Sequence, residues 1–134
     1  MLKAIIIDDE PDCVRLLALQ LKMYCPQVQV AAECTESEEG LLKIKELQPD
    51  MVFLDIEMPV MNGFQLLEKT GPIHFSLVFV TAYDKFAVKA FRFSALDYLL
   101  KPIDGKDLKA AVEKAEQRRW PEKQQLSLLK QQLQ

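Results

Sequence analysis

Residues 51–55 read MVFLD, four consecutive apolar side chains followed by an acid. A short, unbroken apolar run is typical of a strand buried on both faces, as strands are in a parallel sheet. Similar runs occur as AIII at 4–7, LVFV at 77–80 and YLL at 98–100, and a shorter strand is indicated over 28–30. Each of the four apolar runs stops at a polar residue. The sequence therefore predicts buried strands with polar groups at their carboxyl ends.

Helical patterns separate these strands. The first helix begins at Pro11, because proline is favoured in the first turn, and it ends before Pro26. The second is predicted to begin at 35–38, where Thr35 and Glu38 have the spacing of a capping box. Its predicted buried side consists of four apolar residues: Leu41, Leu42, Ile44 and Leu47.

Three more helices complete an alternating pattern. One is predicted around Phe64, another from about Lys85 to Phe93, and the last from a cap at Asp104 to about Arg119. Five strands alternating with five helices predict an α/β fold, a doubly wound parallel sheet with helices on both faces. Because crossovers are nearly always right-handed, such a sheet reverses its strand order at one point, and ligand chemistry gathers at the strand ends beside it.

Composition narrows the possible classes. The chain has 134 residues, of which 49% are hydrophobic, as expected for one globular domain, and its net charge of −3 gives no reason to expect nucleic-acid binding by the chain itself. The opening MLKAIIIDDE is too short and too acidic for a signal peptide or a membrane span, so a cytoplasmic protein without membrane contact is expected. Cys13, Cys25 and Cys34 form no CxxC pair and His74 is the only histidine, so reduced thiols are expected.

The predicted strand ends carry a consistent set of polar groups: Asp8-Asp9, Asp55, Thr81 and Lys101. Carboxylates brought together repel one another unless a cation intervenes, and Mg²⁺, which prefers hard oxygen ligands, is the natural cation. Lys101 would add a fixed positive charge and Thr81 a hydroxyl donor, an arrangement suited to a transferring phosphoryl group. Because Asp8 and Asp9 together suit metal binding, Asp55 is the candidate nucleophile for an acyl phosphate.

Each of these residues alone has an ordinary explanation. A single Asp at a strand end is usually a turn or cap residue, and a single lysine is usually solvated. No glycine-rich phosphate loop or Walker sequence is present, so a nucleotide is not the expected occupant. The joint occurrence of these groups at four strand ends is what favours a phosphoryl site.

The same residues resemble a known family, the receiver domain of bacterial response regulators, over roughly residues 2–115. The motifs that carry this resemblance are Asp8-Asp9, FLDIEMP at 53–59 with Asn62-Gly63 after it, Thr81-Ala82, and Lys101-Pro102. The resemblance implies a flavodoxin-like receiver fold with strand order 2-1-3-4-5. It also implies a phospho-accepting regulatory domain, with only slow self-phosphorylation and dephosphorylation, and not an enzyme.

Roles for the acids follow from the resemblance. Asp55 would accept a phosphoryl group from a sensor histidine kinase. Asp9, Asp55 and the main-chain carbonyl of Glu57 would bind Mg²⁺. Asp8 would assist through water.

The resemblance assigns further roles beside the acids. Thr81 and Lys101 would contact the phosphoryl oxygens. Tyr98 would be the switch aromatic, turning inward when Thr81 moves toward the phosphate. The peptide bond between Lys101 and Pro102 would be cis.

Two stretches are similar to one subgroup in particular. TAYDKFAVKAF at 81–91 and ALDYLLKP at 95–102 resemble receivers of the LytR/AlgR type, which usually carry a C-terminal LytTR DNA-binding domain. We therefore expect a receiver domain over 1–119, and over 120–134 a linker or helical extension toward an output domain that this chain lacks. The resemblance implies transcriptional regulation, DNA binding only through that missing domain, and a homodimer on activation through helix 4, strand 5 and helix 5.

Alternatives from other classes stay open. A stand-alone receiver would act in a phosphorelay or on a protein target. A haloacid-dehalogenase-type phosphatase needs a second Asp two residues after its nucleophile, but counting from Asp8 gives Glu10 and from Asp9 gives Pro11. A flavin-binding electron carrier would want a loop rich in Ser, Thr and Gly after strand one, where this chain has Asp-Asp-Glu-Pro.

Overall fold

The computed structural model describes residues 1–118. Its strands are β1 (Leu2–Ile7), β2 (Val28–Cys34), β3 (Met51–Leu54), β4 (Ser76–Thr81) and β5 (Asp97–Leu100). Its helices are α1 (Pro11–Tyr24), α2 (Ser37–Leu47), α3 (Gly63–Thr70), α4 (Ala87–Arg92) and α5 (105–118). The expected extension at 120–134 lies outside the described residues.

The five strands form one parallel sheet in the order β2-β1-β3-β4-β5, which confirms the predicted fold class. On one face, α1 and α5 pack against the sheet, and on the other face α2, α3 and α4 do so. The chain passes from β1 outward to β2 and then back across to β3, so the strand order reverses between β1 and β3. This reversal places the carboxyl ends of β1 and β3 side by side.

Burial explains why the central strands were predicted correctly, whereas β5, also predicted as a buried strand, is only partly buried and its Leu100 is 47% exposed. Every residue of β3 and β4 is buried, because helices cover both faces of the sheet there. At the edge, β2 alternates between buried and exposed positions and runs over seven residues, longer than the short strand predicted from 28–30. Its exposed positions are polar or small, so the strand has no continuous apolar run by which the sequence could indicate its full length.

The predicted capping box at Thr35 and Glu38 is wrong. The helix begins one residue later than that pattern requires, so the cap position falls on Glu36, whose side chain makes no capping hydrogen bond. A capping box is present instead at the start of α3, where Asn62 and Gln65 each accept a hydrogen bond from the other's backbone N–H at 2.9 Å. This box fixes the first turn of α3.

The buried side of α2 also differs from the prediction. Leu42 is 65% exposed, whereas Ile44 and Gly40 are buried. A Cβ atom at Gly40 would lie 2.7 Å from Cδ1 of Ile7, so α2 packs on β1 at a distance that excludes larger side chains. Because Gly40 lies on the side of α2 that contacts β1, Leu42 lies on the side that faces solvent.

Among the described residues, no helix is both long enough and apolar enough to cross a membrane.

Truncating two apolar residues of α2 tests this helix orientation. Ile44→Ala should lower the free energy of unfolding by about 2–4 kcal/mol, because it leaves a cavity against the sheet. Leu42→Ala should change it by less than about 0.5 kcal/mol, because Leu42 is exposed on the same helix. Urea denaturation of both variants provides the comparison, and equal losses would contradict the orientation described here.

Candidate functional site

The register of the sheet brings the acids together. Ile7 pairs with Leu54, so the residues that follow them, Asp8 and Asp55, lie at the same edge. The Asp55 N–H donates to the Ile7 carbonyl at 2.9 Å and continues the strand pairing past the end of the regular strand. Carboxylate oxygens of Asp8, Asp9 and Asp55 lie within 4.8 Å of one another. The structure therefore assembles the three predicted carboxylates into one cluster.

Lys101 reaches this cluster from the end of β5. Its Nζ lies 2.8 Å from Oδ2 of Asp8 and 3.3 Å from Oδ2 of Asp55. Its backbone N–H donates to the Thr81 carbonyl at 2.9 Å, and this hydrogen bond to β4 fixes the position of the Lys101 backbone. The peptide bond between Lys101 and Pro102 is cis. One ammonium group thus contacts two of the three carboxylates.

The cluster is strongly perturbed electrostatically. Burial and the charge of Asp8 raise the pKa of Asp55 to about 6, although Lys101 acts in the opposite direction. Burial and Asp8 likewise raise the pKa of Asp9. Burial alone would lower the pKa of Lys101, but its hydrogen bond with Asp8 and the charge of Asp55 outweigh burial and raise it. The lysine therefore stays protonated, and the acids carry an excess of negative charge.

The donor set fits a hard divalent cation. Asp8 and Asp55 are buried and Asp9 is half-buried, and one carboxylate oxygen from each lies within 4.8 Å of the other two. An open cleft of about 460 Å³ adjoins Asp9 and is lined also by Glu36, Glu38 and residues 58–60. Carboxylate oxygens with room for water are what Mg²⁺ requires, because it binds few protein ligands and keeps several waters.

Both oxygens of Asp55 have partners. Oδ1 accepts a hydrogen bond from the Ile56 N–H at 2.7 Å, and Oδ2 faces Lys101. These two contacts fix the rotation of a carboxylate that is only 6% exposed. Glu57, two residues further, is exposed at the start of the loop between β3 and α3.

Thr81 and Tyr98 meet at a third residue. Thr81 is fully buried at the end of β4, and its Oγ1 accepts a hydrogen bond from the Tyr83 N–H at 3.3 Å. The Tyr98 hydroxyl donates to the Tyr83 carbonyl, while its ring lies 6.3 Å from that of Phe79. The main chain of Tyr83 thus joins the strand-end hydroxyl to the aromatic residue on β5.

Two neighbours of the site were not singled out from the sequence as individual contributors. The Gly63 N–H donates to the Ile56 carbonyl at 2.8 Å, and a Cβ atom at Gly63 would lie 2.6 Å from the Asp55 carbonyl oxygen, so α3 begins directly against the backbone of Asp55. Ser37, the first residue of α2, donates a hydrogen bond to the loop between β3 and α3. A glycine after Asn62 is visible as a turn signal, but nothing near Ser37 in the sequence indicates its partner.

None of the three cysteines belongs to the acidic cluster found among the described residues, although Cys13 lines a cavity together with Asp8 and Lys101. Cys25 and Cys34 are buried, and Cys13 on α1 donates a hydrogen bond to Oε2 of Glu10 at 3.1 Å. Burial raises the pKa of Cys13 and of Cys34 to about 11. These two thiols are therefore protonated near neutral pH and are weak nucleophiles.

A sheet of this order with acids, a lysine and a hydroxyl at its carboxyl edge defines a class of signalling domain. Residues 4–113 match the family described as the response regulator receiver domain, and the chain belongs to that family. It is the receiver domain of a two-component response regulator.

Two relatives are similar to the chain over most of its length. An uncharacterized response regulatory protein of Vibrio cholerae is 44% identical over 115 residues, which cover 85% of this chain and 48% of that protein. The transcriptional regulatory protein BtsR of Escherichia coli strain K12 is 38% identical over 133 residues, covering 96% of this chain and 53% of BtsR. The chain therefore spans about half the length of these curated relatives.

A solved structure agrees with the fold. The response regulatory domain of protein mrkE from Klebsiella pneumoniae superposes with a TM-score of 0.78 at 27% identity, covering 87% of this chain and 96% of that domain.

Neutralising one acid should stabilise the metal-free domain. Asp55→Asn is expected to raise its free energy of unfolding by about 1–3 kcal/mol near pH 8. The pKa of Asp55 is about 6 in the folded chain against an ordinary value of 3.8, so the ionised side chain destabilises the folded state above pH 6. That destabilisation disappears as the pH falls toward 3.8, and the gain from the substitution should shrink with it.

Urea denaturation in the presence of a chelator, repeated across this pH range, measures the effect. Glu68→Gln, which removes an exposed carboxylate on α3, serves as the control and should change little. A less stable Asp55→Asn variant near pH 8 would contradict the account of charge crowding.

Proposed function

We propose that a sensor histidine kinase transfers a phosphoryl group to Asp55 in the presence of Mg²⁺, and that the phosphorylated domain switches an output. The arrangement that supports this is a buried carboxylate, held by Lys101 on one oxygen and by a backbone N–H on the other, with two further carboxylates beside it. A carboxylate fixed in this way is a nucleophile that can form an acyl phosphate.

In the proposed transfer, a carboxylate oxygen of Asp55 attacks the phosphorus of a phosphohistidine. The new oxygen–phosphorus bond forms as the nitrogen–phosphorus bond breaks, and the histidine nitrogen leaves with the electron pair. Asp9, Asp55 and the Glu57 carbonyl would hold Mg²⁺, with Asp8 assisting through water, and the ion would neutralise negative charge on the acids and the phosphoryl oxygens. Lys101 already lies at the Asp55 oxygens and would contact the added group.

The proposed switch starts from the contacts around Tyr83. Phosphoryl oxygens are strong acceptors, so they would draw the Thr81 hydroxyl away from the Tyr83 N–H that it now accepts from. The loop after β4 would then shift, and Tyr98, which donates to the Tyr83 carbonyl, would shift with it. Phosphorylation in this scheme stabilises one of two arrangements through contacts that only that arrangement makes.

Phosphorylation itself can be tested with a small donor. Acetyl phosphate with Mg²⁺ should add one phosphoryl group to the wild-type chain, and the adduct should be lost at alkaline pH, as expected for an acyl phosphate. Asp55→Asn should show no adduct, and a chelator should suppress the adduct in wild type, both followed by intact-mass spectrometry. Asp12→Asn, which neutralises an exposed acid on α1, is the matched control and should react like wild type. Equal labelling of Asp55→Asn would refute the assignment.

We propose that the output surface, formed by α4, β5 and α5, binds a second copy of the chain. Val88 and Phe91 on α4 are 74% and 76% exposed, and Leu100 on β5 is 47% exposed. Beside them, Lys114 of α5 forms an ion pair with Asp97 of β5 at 3.0 Å. Exposed apolar residues beside a charged pair are typical of a protein interface, and the same patch on each copy would make a two-fold dimer.

Beryllofluoride, which mimics the phosphoryl group, tests this dimer. With Mg²⁺ and beryllofluoride, wild type should dimerise at a lower concentration than without them. Phe91→Ser should weaken that dimer at least about tenfold, because it removes a large apolar contact from the centre of the patch. Leu19→Ser, at a 53% exposed position on α1, is the control. Sedimentation equilibrium measures both, and equal dimerisation of the two variants would exclude the α4 patch.

The output is proposed to be transcriptional, through a DNA-binding domain of the LytTR type that follows the receiver. Support comes from the LytR/AlgR-like stretches at 81–91 and 95–102, and from relatives such as BtsR that are named transcriptional regulators and are about twice as long. We further propose a cytoplasmic location and no catalytic turnover of an external substrate. The gene sequence beyond residue 134 tests the output domain, and a stand-alone receiver is the outcome that would replace it.

A further inference from the structure

We propose that Ser37 is a positioning residue of the metal site. Its hydroxyl holds the loop between β3 and α3, which carries Glu57, the residue whose carbonyl is proposed above as a Mg²⁺ ligand. This inference rests on the proposed function, because it assigns a role toward the same Mg²⁺ ion.

The contacts of Ser37 point away from its own helix. It is the first residue of α2 and is only 6% exposed, yet α2 has no side-chain cap. Its Oγ donates to the Met61 carbonyl, 24 residues further along the chain, at 2.5 Å, and lies 3.9 Å from Sδ of Met58. Because Gly40 seats α2 closely against Ile7 of β1, the serine projects from a fixed element.

The loop that Ser37 holds contains a strained turn. Val60 has φ of +69°, a region that β-branched residues rarely adopt, and its side chain is 95% exposed. The Met61 N–H donates to the Pro59 carbonyl at 2.7 Å, which makes a γ-turn of the strained, positive-φ kind. Backbone strain of this type persists only where surrounding contacts hold it.

The two ends of the loop have their own anchors. Asp55 is bonded to β1 at one end, and Gly63 is bonded to the Ile56 carbonyl at the other. Ser37 binds between them, at the residue directly after the strained Val60. Without this bond the turn at Val60 can relax toward a more favourable φ, which would loosen the loop that carries Glu57.

Mg²⁺ titration of the full chain, followed by amide NMR shifts, tests the proposal without any activity measurement. Ser37→Ala should weaken Mg²⁺ binding by about three- to tenfold, the equivalent of one hydrogen bond. Ser37→Thr, which keeps the hydroxyl, should bind within about twofold of wild type. Ser76→Ala is the matched control. Ser76 is equally buried, but it begins β4 and so lies at the amino ends of the strands, away from the carboxylates.

A second substitution tests the link to strain. Val60→Gly removes the cost of positive φ, so Ser37→Ala should weaken binding by less than about twofold in that background. Thermal melts in chelator verify that each variant is folded. If Ser37→Ala does not fold, Ser37→Cys keeps the shape with a weaker donor and should still weaken binding.

The outcomes separate the two proposals. Wild type that fails to bind Mg²⁺ would overturn the proposed function. Wild type that binds, with folded Ser37→Ala or Ser37→Cys binding equally well, would overturn the role of Ser37 alone. The same result follows if Ser37→Ala weakens binding equally with and without Val60→Gly, or if Ser76→Ala weakens it as much.

Discussion

The repulsion among three carboxylates at one edge of the sheet is the constraint on which the site depends. Asp8, Asp9 and Asp55 lie within 4.8 Å of one another, and Lys101 is the ammonium group that contacts two of them. Burial strengthens the repulsion, because less water screens the charges, and it raises the pKa of Asp55 to about 6. The fold therefore holds negative charge that Lys101 only partly neutralises. A divalent cation bound there would relieve the remaining repulsion between the carboxylates.

The apolar sheet is what keeps these charges in place. The bodies of β3 and β4 are buried throughout, and both faces of the sheet carry a packed core. Such strands cannot slide or tilt without exposing apolar surface, so the residues at their ends keep fixed positions. The packing free energy of the core offsets the electrostatic cost of the carboxylates at the edge.

The loops around the edge are held in two different ways. The loop between β3 and α3 contains a strained turn at Val60, buries the side chains of Met58 and Met61, and is tied to α2 through the hydroxyl of Ser37. The loop after β4 is tied through the main chain of Tyr83 to Thr81 and Tyr98. Single hydrogen bonds contribute about 1 kcal/mol each, so one new charged group at Asp55 can outweigh them. Movement is therefore expected in the loop after β4 and not in the strands.

The sequence by itself determined the alternation of strands and helices and the residues at the strand ends. This is because strands buried on both faces must be apolar along their length, so polar groups such as Asp55 after β3 and Thr81 at the end of β4 stand out where the strands stop. It misjudged Leu42, which is exposed, and the cap of α2, because the rotation and the first residue of a helix depend on close packing such as that of Gly40 on Ile7. Only the tertiary structure decided that Ser37 bonds to Met61 and Tyr98 to Tyr83. Those partners are far apart in the chain, and their pairing depends on how the elements pack, which no local pattern encodes.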